Sequence, residues 1–138
     1  MNNVNPNYKY NTVLLIDDSE LDNFINEKML DANLFSKNVL TSLNGEIALN
    51  VINKLIHSDE TGNESCLDLV FVDLNMPVMT GFEFIENFKR LRAGKITKTK
   101  LVILTSSIDN EDRLKASKID ENIIFVNKPL TNEVLRSL

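Results

Sequence analysis

Four short apolar runs in this chain each end in a residue able to do chemistry. Val13-Leu14-Leu15-Ile16 runs into Asp17-Asp18, and Leu69-Val70-Phe71-Val72 runs into Asp73. Leu101-Val102-Ile103-Leu104 runs into Thr105, and Ile123-Ile124-Phe125-Val126 into Asn127-Lys128-Pro129. A lone aspartate at such a place most often caps a helix or closes a turn. Three acids, a hydroxyl and an ammonium at successive run ends carry a stronger message. Carboxylates brought within a few ångströms repel one another and raise each other's pKa, and a divalent cation removes that cost. Few, hard oxygen ligands with room for water suit Mg²⁺. Asp73 is then a candidate nucleophile toward phosphorus, because carboxylates form acyl phosphates. Lys128 offers a fixed positive charge for an incoming phosphoryl group, and the Thr105 hydroxyl a hydrogen bond. Phosphoryl transfer needs little beyond such positioning and charge neutralisation.

The elements that must position these groups follow from the pattern. Runs of four apolar residues bounded by turn formers read as strands buried on both faces. Pro77 has no N–H and a fixed φ, so regular structure stops before it, and Gly81 closes the loop that follows Asp73. Val39-Leu40 reads as a weaker edge strand. Between the strands lie helical patterns. Ser19 caps the first, with Asp22 near the positive end of its dipole and Leu21, Phe24, Ile25 and Met29 as its apolar face. Asn44-Gly45 opens the second, with Ile47, Ala48, Val51, Ile52, Leu55 and Ile56 on one side and a solvated His57 at its end. Phe82, Ile85, Phe88 and Leu91 mark the third. A polar helix spans Asn110 to Ile119, and a short, marginal one follows Thr131. Five strands alternating with five helices argue for a doubly wound parallel sheet covered on both faces. Ligands bind such sheets at the carboxyl ends of the strands. If the first and third strands are neighbours, about 4.8 Å apart, the three acids converge.

Composition bounds the rest. The chain has 138 residues, 43% hydrophobic and 25% charged, which is one ordinary globular domain. A net charge of −5 offers no footprint for nucleic acid. No apolar run approaches the ~20 residues of a bilayer span. Residues 1–11 lack a secretory h-region and read as a flexible arm. One cysteine, Cys66, rules out an internal disulfide and suits a reducing cytoplasm. One histidine, His57, rules out a His-rich metal site. The polar stretch from Ser58 to Cys66 and the connector from Ala93 to Lys100, with Lys95, Lys98 and Lys100, read as solvated loops.

Taken together, Ile16-Asp17-Asp18, Val72-Asp73-Leu74-Asn75-Met76-Pro77 with Gly81, Leu104-Thr105-Ser106 and Lys128-Pro129 are highly specific. Over residues 12–138 the sequence resembles the receiver domains of two-component response regulators, of the single-domain chemotaxis type. The resemblance implies a flavodoxin-like α/β fold, a five-stranded sheet of order 2-1-3-4-5 with five helices. It implies Asp73 as phosphoacceptor, Mg²⁺ held by Asp18, Asp73 and the Asn75 carbonyl, and Asp17 assisting through water. It implies a cis peptide before Pro129, a switch through Thr105 and Phe125, and tuning of phosphoryl loss by Asn75 and Ser107. A phenylalanine has no hydroxyl to hold its ring outward, so an inward ring is expected before phosphorylation. The implied partners are a sensor histidine kinase or histidine phosphotransfer protein and a downstream protein, with no direct DNA or membrane binding and a cytoplasmic setting. The chain would catalyse only its own phosphorylation and dephosphorylation.

The longer Ser58–Cys66 and Ala93–Lys100 stretches, the Ile119-Asp120-Glu121-Asn122 turn and the short last helix depart from the family pattern near the partner-facing surface. Three rivals share parts of this reading. A haloacid-dehalogenase-like phosphohydrolase needs a second acid at position 75, where Asn75 stands. A flavodoxin-like nucleotide binder needs a hydroxyl- or glycine-rich loop where Asp17-Asp18 stand. A degenerate receiver acting as a static docking module would lack a site residue, and all are present.

Overall fold

The computed structural model describes residues 7–58, 67–91 and 98–138. Ten elements alternate along it: β1 (Tyr10–Ile16), α1 (Glu20–Ala32), β2 (Ser36–Ser42), α2 (Gly45–Ser58), β3 (Leu69–Val72), α3 (Gly81–Leu91), β4 (Lys100–Thr105), α4 (Asn110–Ile119), β5 (Ile124–Asn127) and α5 (Asn132–Ser137). The strands form one sheet in the order β2-β1-β3-β4-β5, every pair parallel. The fold is therefore the flavodoxin-like α/β arrangement that the sequence implied.

Alternation along each strand sends side chains to opposite faces. Leu14, Ile16, Val70, Val72 and Ile103 pack with Ala48, Ile52, Phe84 and Phe88 of α2 and α3. Val13, Leu15, Leu69, Phe71, Val102 and Leu104 pack on the other face with Leu30 of α1, Leu135 of α5 and Leu138. A strand buried on both sides has no place for a polar residue, which is why these runs are unbroken in the sequence.

Two local expectations are corrected. The apolar face assigned to α1 points largely outward: Leu21 is 65% exposed and Phe24 57%, while Asn23, Asn26 and Leu30 are buried. The cause is the neighbourhood of the Asn23 side chain. Its Nδ2 donates to the carbonyls of Asp17 and Ser42, each at 3.1 Å, just past the end of β1 and at the end of β2. Leucine there would leave both carbonyls buried without that donor. On α2, Ile47 is also exposed, while Ala48, Ile52 and Ile56 face inward.

At the other end, β1 begins at Tyr10, three residues ahead of the apolar run that starts at Val13. The Tyr10 hydroxyl donates to the Leu138 carbonyl, and Lys100 Nζ donates to both oxygens. Lys9 Nζ adds bonds to the carbonyls of Leu135 and Arg136, where cations suit a helix C-terminus. Short α5 is thus capped at both ends, with the Thr131 side chain accepting from Val134 N–H. Most of the two loops expected to be long, including Cys66 and Lys95, lies outside the described residues.

Candidate functional site

The site forms where β1, β3, β4 and β5 end. Because β1 and β3 are neighbours, the Asp73 N–H donates to the Ile16 carbonyl at 3.0 Å and Asp73 stands beside Asp17 and Asp18. Asp17 is fixed from both sides: its N–H donates to the Ser42 carbonyl, and its Oδ1 accepts from Ser19 N–H at 3.0 Å. Ser19 in turn caps α1, its Oγ accepting from Asp22 N–H. Oxygens of Asp17, Asp18 and Asp73 lie within 4.8 Å of one another. Asp17 is 4% exposed and Asp73 7%, whereas Asp18 is exposed.

After Asp73 the chain turns back sharply. Met79 N–H donates to the Pro77 carbonyl at 2.8 Å, with Val78 between them at φ 71°. Gly81 then begins α3 against the backbone of Asp73 and Leu74, its N–H donating to the Leu74 carbonyl.

The cation comes from the far side of the sheet. Lys128 N–H donates to the Thr105 carbonyl at 2.9 Å, and the bond from Lys128 to Pro129 is cis, as the resemblance implied. The Lys128 side chain reaches across to place Nζ 2.6 Å from Asp17 Oδ2, 2.8 Å from Asp22 Oδ2 and 3.4 Å from Asp73 Oδ2. Burial works to lower the Lys128 pKa. The hydrogen bonds that Lys128 donates to Asp17 and Asp22 and the charge of Asp73 outweigh burial and hold the ammonium above its ordinary value. Asp18 is shifted upward too, by what desolvation it has and by the like charges of Asp17 and Asp73.

A hard cation fits here. Three carboxylates crowd together, and Asp73 Oδ1 is buried with no hydrogen-bond partner, a costly state for a charged oxygen. Asn75 stands two residues beyond Asp73 at the exposed lip.

Thr105 is fully buried, and its Oγ1 accepts from Ser107 N–H at 3.2 Å. Ser107 Oγ points to α4, donating to Asp112 Oδ2 at 2.6 Å. Phe125 is half-buried, and its ring, which carries no hydroxyl, has a polar neighbour. The Arg113 guanidinium of α4 lies 4.5 Å from the ring centroid and also donates to Asn127 Oδ1 at 2.8 Å.

Sequence reasoning missed two participants. Asp22 was read only as an acid favourable to the helix dipole, yet it is a partner of Lys128. Arg113 carried no signal, because only the packing of α4 beside β5 brings it to Phe125.

The model of the response regulator receiver domain matches residues 13–138, and the chain belongs to that family. It is 29% identical to the probable transcriptional regulator ycf29 of Porphyra purpurea over 129 residues. That match covers 94% of this chain and 54% of the relative, so the chain spans about half the relative's length. Among solved structures, it is similar to a two component response regulator from Cytophaga hutchinsonii, with 29% identity and a TM-score of 0.81. That alignment covers 94% of this chain and 93% of the other. The chemotaxis protein CheY4 of Vibrio cholerae aligns with 26% identity and a TM-score of 0.73, over 93% and 94% of the two chains. Receiver domains are signalling domains of two-component systems, and phosphorylation-dependent signalling is the role this membership implies. Among the described residues, no helix is long and apolar enough to cross a membrane.

Proposed function

We propose that this chain is a switch thrown by phosphorylation of Asp73. The donor is a phosphohistidine on a sensor histidine kinase or a histidine phosphotransfer protein. An Asp73 carboxylate oxygen attacks phosphorus, the new O–P bond replaces the P–N bond, and the electron pair returns to the imidazole. Lys128 balances charge on the phosphoryl oxygens, and the Thr105 hydroxyl donates to one of them. Asp18, Asp73 and the Asn75 carbonyl would hold Mg²⁺, with Asp17 acting through water. The bound ion would supply positive charge to oxygens of the transferring group. Asn75 and Ser107 would tune how long the phosphoryl group stays. Thr105 and Phe125 pass the change to the surface, where it alters protein binding. With a net charge of −5 the output runs through protein rather than direct DNA contact, in the cytoplasm.

The observation that supports this most is the meeting of buried Asp73 with two further acids and one ammonium at adjoining strand ends. Incubation with acetyl phosphate and Mg²⁺, followed by intact-mass measurement, is expected to show one added phosphoryl group. Asp73→Asn should abolish it, and a variant modified at the wild-type rate would sink the assignment.

A further inference from the structure

Lys128 has more acidic neighbours than the acid cluster accounts for. Two of its partners, Asp17 and Asp73, belong to the group of three carboxylates within 4.8 Å of one another. The third, Asp22, does not, and comes from the first turn of α1. Its backbone is held by the Ser19 cap, and its side chain is 39% exposed against 10% for Asp73. Yet Asp22 is the nearer to the ammonium, 2.8 Å against 3.4 Å.

An ammonium has three N–H donors. Two are engaged at short range by Asp17 and Asp22, while the approach to Asp73 lies beyond the usual 2.7–3.2 Å of an N–H···O bond. A phosphoryl group on Asp73 adds about two negative charges beside Lys128. To serve it, Nζ must move toward Asp73 and away from the rim. Asp17, Asp18 and Asp73 would give oxygens to a bound cation, and Asp22 would then remain as the ammonium's own partner.

We propose that Asp22 is a positioning residue: it holds the Lys128 ammonium on the α1 side of the site and favours the unphosphorylated state, and phosphorylation of Asp73 draws the ammonium off it. This rests on the reading of Asp73 as phosphoacceptor and names a regulator of that same site. The anionic Asp22 side chain also opposes an incoming phosphoryl group of the same sign. Both effects act in one direction, so removing the charge strengthens binding of a phosphoryl mimic.

The test is a titration of the full chain with beryllofluoride in Mg²⁺, followed by ¹⁹F NMR, alongside the ¹H–¹⁵N signal of the Lys128 ammonium. Asp22→Asn is expected to tighten beryllofluoride binding roughly threefold, in line with loss of a half-exposed ion pair. It should also shift the Lys128 signal in the free protein. Asp22→Glu, which keeps the charge, should stay near wild type. Glu20→Gln makes the same change of charge on an exposed residue of the same turn that is not a Lys128 partner, and should alter neither readout. Affinity in Asp22→Asn equal to or below wild type overturns the proposal, as does a Glu20→Gln variant that matches Asp22→Asn. Wild-type protein that binds no beryllofluoride overturns the phosphoacceptor reading and the proposal with it.

Discussion

Replacing Gly81 by alanine tests how tightly the site is built into the backbone. A Cβ at Gly81 would stand 2.4 Å from the Asp73 carbonyl oxygen, 2.8 Å from Leu74 Cα and 3.0 Å from the Asp73 carbonyl carbon. The first distance falls about 1 Å short of ordinary van der Waals contact, and every atom met is main chain. Main chain at the end of an inner strand cannot rotate away as a side-chain tip can. Overpacking of this kind costs ~1–3 kcal/mol. The helix propensity gained by glycine-to-alanine, at most ~1 kcal/mol, is small at the first residue of a helix. At this chain length 1 kcal/mol corresponds to about 3–5 °C, so the melting temperature should fall by roughly 3–15 °C. Asp73 must move with its carbonyl, so Mg²⁺ should bind more weakly as well. Gly45→Ala is the control. It also begins a helix, but its nearest neighbour, at 2.8 Å, is the flexible Met79 Sδ. It should cost less than ~1 kcal/mol. Far-UV circular dichroism melts with and without Mg²⁺ decide the matter. Gly81→Ala melting with wild type, or Gly45→Ala losing more, would refute the close-approach argument.

Asp18→Asn should raise the melting temperature of the metal-free protein at neutral pH and weaken Mg²⁺ binding at least about tenfold, since it removes one of the crowded charges. The sign follows from the upward shift of Asp18: its contribution to stability is fully present below the ordinary carboxylate pKa and is lost as pH rises through the folded value. The gain of the variant should therefore vanish near pH ~3 and grow toward neutrality, and a gain independent of pH would count against the repulsion. Arg113→Ala should uncover the Phe125 ring, cost ~0.5–1 kcal/mol and move the ring resonances in NMR spectra; unmoved resonances would show that the guanidinium does not hold the ring.

What could be read from the sequence and what could not divides along physical lines. Inner strands buried on both faces must be apolar without interruption, so β1, β3 and β4 were visible as quartets. The edge strand β5 showed the same run although Ile124 and Phe125 are only half-buried, and Asp17, Asp18, Asp73, Thr105 and Lys128 stood at or just beyond the ends of these four. The inward face of α1 was not visible. Periodicity assumes that a helix buries its apolar side, whereas the first half of α1 covers strand-end carbonyls and turns Asn23 toward them. Asp22 was hidden for a related reason. An acid in the first turn of a helix already has a sufficient local explanation in the dipole, so nothing in the spacing points to a lysine more than a hundred residues away.

The region around Phe125 shows the same limit and what lies beyond it. From sequence, a ring without a hydroxyl looked free of polar constraint. In the fold, Thr105 Oγ1 accepts from Ser107 N–H, and the Ser107 hydroxyl donates to Asp112 of α4. The Ser107 carbonyl accepts from Asn127 Nδ2, and Asn127 Oδ1 accepts from Arg113, which covers the Phe125 ring. Any turn of the Thr105 hydroxyl toward a group on Asp73 withdraws the acceptor from Ser107 N–H. Ser107 is bonded to both α4 and β5, so it cannot readjust without disturbing Asp112 or Asn127. The hydroxyl absent from Phe125 is thus replaced by a cation on the neighbouring helix, and the position of the ring becomes a property of α4 as much as of β5.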